Sequence, residues 1–236
     1  MPLIYLYDVI PNKDLLNAAV LNNAEWCNTI CGAKGAAGIF DADVWHAGGA
    51  PPQYYPNLVT LRADVSTEHI GRFAENSDAD FSIKDSFNDL DLTTLSMIKL
   101  FEAEWLLAPD VQTSATGYEI VSNDDEIMQW QNAWDKDMPS GFFNASLLKN
   151  GDVKFIGIKK NGVYMAGAIL NLSKNVVGIS NLFYGDDIPG AVNVFLSASQ
   201  HLFPGLPVVG YSRGNELDDL KSKGWLSLGP LSVWVK

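Results

Sequence analysis

Residues 176–236 constrain the fold more than any other part of the chain, because they read as strand, turn, helix, strand, helix, strand. The run Val176-Val-Gly-Ile-Ser-Asn-Leu-Phe183 is β-branched and apolar enough for a strand covered on both faces. Pro189-Gly190 suits a helix start, where a missing N–H costs nothing, and helical patterning continues to Phe203. A second apolar strand follows at 207–211, then a helix over 216–223 that Asn215 can cap, then Gly224-Trp225 and a closing strand. A helix N-terminus at the carboxyl end of a buried strand is a natural seat for an anion or cofactor.

Upstream, Asn12 is a candidate cap for a helix over 13–33, with Leu15, Leu16, Ala19, Trp26, Cys27 and Ile30 as its apolar stripe. The glycine, proline and aromatic residues of 47–57 exclude regular structure and predict a long ordered loop. A short strand at 58–61, a short helix at 66–75 and a half-buried strand alternating over 79–87 come next. The run 95–107 has helical composition, yet Lys99, Phe101, Ala103 and Trp105 fit one face of a strand. The residues leave helix and strand open, and only the family resemblance given below favours strand. Residues 109–117 form the best linker. A strand at 118–122, a helix capped by Asn123 or Asp124 that carries Trp130 and Trp134, and a short helix at 142–148 follow. Strands at 153–158 and 163–172 are joined by Lys159-Lys-Asn-Gly162, where Asn-Gly is a strong hairpin signal.

Composition narrows the partners. With 16 basic and 28 acidic residues, the net charge of −12 repels nucleic acid and anionic membranes, so neither is an expected partner. Met1-Pro-Leu-Ile-Tyr-Leu-Tyr-Asp8 lacks the basic start and apolar length of a secretion signal, and no run reaches membrane-span length. Cys27 and Cys31 lie one helical turn apart, which suits core thiols in a reducing cytoplasm. His46, His69 and His201 are scattered, so no metal is expected.

The element order from 116 onward, with Asn215, Gly224-Trp225 and Trp234-Val235-Lys236, resembles the GCN5-related N-acetyltransferases (GNAT), whose chains end in an Asn…Tyr…Gly-Phe pattern. The two-part layout is similar to glycine N-acyltransferase-like proteins. The resemblance implies an α/β (α+β) fold with a mixed central sheet flanked by helices, arranged as a partial GNAT-like lobe over 1–115 and a GNAT domain over 116–236. It further implies acyl transfer from acetyl- or acyl-coenzyme A to a primary amine of a small molecule or peptide. Coenzyme A thioester and amine are then the partners, with a homodimer allowed.

The resemblance also assigns residues. Leu182, Phe183, Gly190, Ala191 and Asn215 fall at cofactor-binding positions, and a bulge at Ser180-Asn181-Leu182 would offer backbone groups to the pantetheine arm. Two departures stand out. Asp187, after Asp186, occupies the arginine position of the family's pyrophosphate turn, which suits an ordinary capped helix as well as a weakened phosphate site. Leu220 stands where the family has its proton-donating tyrosine. Tyr184 and Tyr211 are the candidate substitutes, and Asn181 or Ser180 could hold a water as base. Both departures also fit a non-catalytic binding module descended from the same fold.

Overall fold

The computed structural model describes residues 12–75, 80–111, 116–185, 188 and 190–236. The segment 1–8, the middle of the linker, and Asp186, Asp187 and Pro189 lie outside the described residues. Helix α1 (Asn12–Ala33) buries Leu15, Ala19, Trp26, Cys27 and Ile30, as its stripe predicts. Both cysteines are free and buried, and burial, with Cys27 adding to it, pushes the Cys31 thiol up to about 12. Short strands β1 (Ile39–Phe40), β2 (Val44–His46) and β3 (Leu58–Thr60) follow, the last two on either side of the irregular loop. Helix α2 (Thr67–Ala74) is capped by Ser66, whose hydroxyl accepts the His69 N–H. Strand β4 spans Ser82–Asp85, and β5 spans Ile98–Leu107, so the ambiguous run is a strand.

Beyond the linker come β6 (Glu119–Ile120) and α3 (Asp124–Trp134). Asn123 Oδ1 accepts the Glu126 N–H, while the Glu126 carboxylate accepts the Ser122 N–H, a reciprocal cap. Strands β7 (Val153–Lys160) and β8 (Val163–Ser173) meet at Asn161 and Gly162, both left-handed at φ 54° and 81°, as such a two-residue turn requires. Then come β9 (Val176–Tyr184), α4 (Ala191–Leu202), β10 (Val208–Ser212), α5 (Gly214–Ser222) and β11 (Leu226–Val235).

The chain divides into two compact units, Ile10–Leu106 with Tyr211–Lys236, and Leu107–Gly210. In the first, strands run in the order β1-β2-β3-β4-β11-β5. β3 and β4 are parallel and β4 and β11 antiparallel, so the sheet is mixed. Its core gathers Val44, Leu58, Ile70, Ile83, Leu92 and Trp234, and α1 packs on β11. The expected alternation of β4 does not hold, because Ile83, Lys84 and Asp85 are all buried. Both faces of this strand are covered, and each polar side chain has partners. Asp85 accepts N–H groups of Phe87 and Leu90 and the Ser232 hydroxyl, although burial still raises its pKa.

In the second unit the order is β10-β9-β8-β7-β6, with β9/β10 parallel and β7/β8/β9 antiparallel. Helices α3 and α4 pack on β8. Trp130 is the centre of this core: its indole N–H donates to Ile156 O at 2.8 Å, and its ring meets Phe143, Phe155 and Phe183 edge-on. The helix expected at 142–148 is reduced to one turn, Leu147–Lys149. Buried Gln131 explains this, since its amide donates to Pro139 O and accepts the Phe143 N–H, holding the loop open.

Trp130 and Phe183 can stack this closely because Gly167 lies beneath them. A Cβ there would sit 2.5 Å from Phe183 Cε1 and 2.5 Å from Trp130 Nε1. Gly167→Ala is therefore expected to destabilise the protein by roughly 1–3 kcal/mol, the range for overpacking. Urea unfolding followed by tryptophan fluorescence measures this, and an unchanged midpoint would show that the stack yields freely.

Candidate functional site

The site candidates of the second unit lie along β9, whose backbone loses its partners on both edges. Toward β10, pairing covers Val177↔Val208 and Gly178↔Val209 and stops there. The Val177 N–H donates to Pro207 O at 2.9 Å, and no ladder partner on β10 is found beyond Gly178 among the described residues. Gly210 still lies close to β9, because a Cβ there would lie 3.0 Å from Ile179 O. Toward β8, Ser180 opposes Ile169 and Phe183 opposes Gly167, so two residues, Asn181 and Leu182, face Ala168 alone. This is a β-bulge, at the position the sequence suggests.

Asn181 makes the bulge with φ 50°, a left-handed conformation that asparagine tolerates better than most side chains. Next to it the Ser180 hydroxyl is buried without a hydrogen-bond partner among the described residues. Such an orphan is uncommon and fits a site that takes a polar ligand. Phe183 turns its ring onto Trp130, 5.2 Å away, so its side chain is engaged by α3 while its backbone remains on the open stretch. Tyr184 ends the strand, half-buried, opposite Ala166.

Gly190, φ 83°, is the cap residue of α4, and among the described residues it has no side-chain cap and nothing within 4 Å of where its Cβ would lie. The Ala191 N–H donates to Ile188 O, and Ala191 itself is buried. Among the described residues no side chain accepts from the N–H groups of this first turn. An orphan hydroxyl, an unpaired bulge and an uncapped helix start are compatible with a pantetheine and pyrophosphate ligand.

Tyr211, Asn215 and Leu220 belong to the first unit. Tyr211 lays its ring against Trp105, 5.4 Å between centroids, and its hydroxyl accepts from Lys84 Nζ at 3.3 Å. Asn215 is not the cap expected for α5. Gly214 takes φ 56°, starting the helix two residues sooner, so Arg213 is the cap residue and exposed Asn215 lies in the first turn. Leu220 is buried, and its carbonyl accepts the Trp225 N–H, a packing role. Among the described residues, no three of His, Cys, Asp and Glu gather as a metal site, and no helix is long and apolar enough to cross a membrane.

Sequence reasoning reached the bulge through the resemblance but missed Gly167 and Gly210, whose roles depend on neighbours distant in sequence. It also missed Lys84, which a period-two pattern gives no cause to single out.

No family model and no curated protein matches the sequence. Solved structures do match in fold. A GCN5-related N-acetyltransferase from Kribbella flavida superposes with TM-score 0.62 at 11% identity, covering 93% of this chain and 95% of its own. A GNAT-family protein from Novosphingobium aromaticivorans gives 0.59 at 10% identity, covering 92% and 98%. A conserved protein of unknown function from Staphylococcus epidermidis gives 0.60 at 11%, covering 84% and 92%. The chain has the fold of the GCN5-related N-acetyltransferases.

The left-handed backbone at Asn181 yields a test. Asn181→Val is expected to cost about 1–3 kcal/mol, because a β-branched side chain resists this conformation. Asn181→Gly should be near neutral. Chemical denaturation of both variants checks this, and equal costs would mean that the bulge does not set the requirement.

Proposed function

We propose that the protein is an N-acyltransferase that uses a coenzyme A thioester, acetyl-coenzyme A in the simplest case, to acylate a primary amine. The observation that carries this reading is the coincidence on β9 of a bulge at Asn181 and loss of pairing to β10 after Gly178. A ladder interrupted on both edges leaves backbone donors and acceptors that an extended amide-bearing chain can match. Pantetheine is such a chain.

In this reading Ser180, Asn181 and Leu182 hold the pantetheine through their backbone, with the Ser180 hydroxyl gaining a partner, and the first turn at Gly190-Ala191 receives the pyrophosphate. The bound thioester supplies an activated acyl group. The acceptor amine must arrive neutral to form the new C–N bond as the C–S bond breaks, so one proton leaves the amine and one joins the departing thiolate. Asn181 can hold a water that takes the first. Tyr184 is the residue we assign to give the second, since it ends the same strand. Leu220 has no proton to give.

Calorimetric titration with acetyl-coenzyme A, followed by an amine screen that detects released thiol, tests the reading. Micromolar binding is expected, with Tyr184→Phe lowering turnover about 100-fold or more while binding persists. Absence of both heat and thermal shift at millimolar acetyl-coenzyme A would overturn it.

A further inference from the structure

In the first unit a lysine lies buried without a counter-charge among the described residues. Lys84 is 4% exposed, on β4, and its Nζ donates to Asn23 Oδ1 at 2.7 Å and to Tyr211 Oη at 3.3 Å. The ammonium also lies 4.4 Å from the Tyr211 ring centroid. Among the described residues no carboxylate pairs with it. Burial favours the neutral amine, but Tyr211 and Cys27 oppose it, and the balance lies above the ordinary lysine value. Burial pushes the Cys27 thiol up.

Hydrogen-bond accounting shows what the cluster lacks. An ammonium has three N–H donors, of which Asn23 Oδ1 and the Tyr211 oxygen take two. Asn23 Oδ1 also faces the Cys27 thiol, which fixes the amide orientation and leaves both N–H groups of Asn23 Nδ2 without an acceptor among the described residues. The Tyr211 O–H has no acceptor there either. Among the described residues the cluster therefore carries spare donors from three side chains and one positive charge.

Two members of the cluster meet the surface, since Asn23 is half-buried and Tyr211 is 37% exposed. On a chain of net charge −12, a buried cation surrounded by donors is the exception to the prevailing field. A buried charge is stable when paired and hydrogen-bonded. We propose that Lys84, Asn23 and Tyr211 form a binding site for a small carboxylate, which brings one negative charge and two acceptor oxygens to these donors. A monoanion matches the single ammonium, whereas a doubly charged phosphate would leave one charge uncompensated. The site lies wholly in the first unit and does not depend on coenzyme A binding.

The experiment titrates the full chain, ¹⁵N-labelled, with acetate at constant ionic strength, using acetamide and sodium chloride as controls. Acetate should shift the Asn23 side-chain amide and Lys84 Nζ resonances saturably at millimolar concentration, and neither control should. In Lys84→Met the affinity for acetate should fall about tenfold or more, the worth of a charge-assisted hydrogen bond. If that variant does not fold, the wild-type titration decides alone. Equal response to acetate, acetamide and chloride, or undiminished acetate binding by folded Lys84→Met, overturns the proposal.

Discussion

The structure around the candidate site depends on where β9 stops hydrogen bonding. Backbone N–H and C=O groups must find partners, and a strand between two neighbours normally finds them in the ladders. β9 begins that way, with β8 on one edge and β10 on the other, and then loses register on both within a few residues of Ile179. Pairing with β8 resumes at Phe183 and Tyr184, so on that edge only the bulge at Asn181 and Leu182 is open, and side chains brace it. Phe183 rests on Trp130, Trp130 is tied by its indole N–H to Ile156 O, and Gly167 leaves the space that both rings need. An aromatic cluster on one face thus supports a backbone free to meet a ligand. Its large buried rings provide the apolar area that an interrupted ladder cannot replace.

The first unit manages buried polarity differently. Asp85 and Lys84 are neighbours on one strand and are served by separate sets of partners. Asp85 is enclosed by two backbone N–H groups and the Ser232 hydroxyl, so its donors and acceptors match. Lys84 meets two neutral oxygens, and donors outnumber acceptors around it. Two adjacent polar side chains, one satisfied and one not, make the second a better pointer to a ligand than either would be alone.

The sequence carried most of the element order, because its signals are local. Asn161-Gly162 specifies its turn through two left-handed residues, and Ser66 and Asn123 cap helices through their own side chains, whereas the run from Ile98 to Leu107 was ambiguous in itself and read as strand only through the family resemblance. What it hid depends on contacts between distant segments. Lys84 looked like the outward position of a half-buried strand, and Asn23 and Tyr211, 61 and 127 residues away, are what allow it to be buried. Asn215 looked like a cap because asparagine favours that role, but Gly214, able to take φ 56°, starts the helix earlier. Gln131 likewise replaced an expected helix with a loop by satisfying backbone groups at Pro139 and Phe143. Of the site, the bulge was legible through the family resemblance, while the spacing glycines were not.

The central claim is that the interrupted stretch of β9 receives the pantetheine of a coenzyme A thioester. Amide hydrogen exchange at Asn181, Leu182 and Phe183, with and without saturating acetyl-coenzyme A, tests it most directly. Marked slowing at these amides, with the β7/β8 hairpin unchanged, is the predicted result. Binding that leaves them exchanging as before would place the cofactor elsewhere and contradict the account.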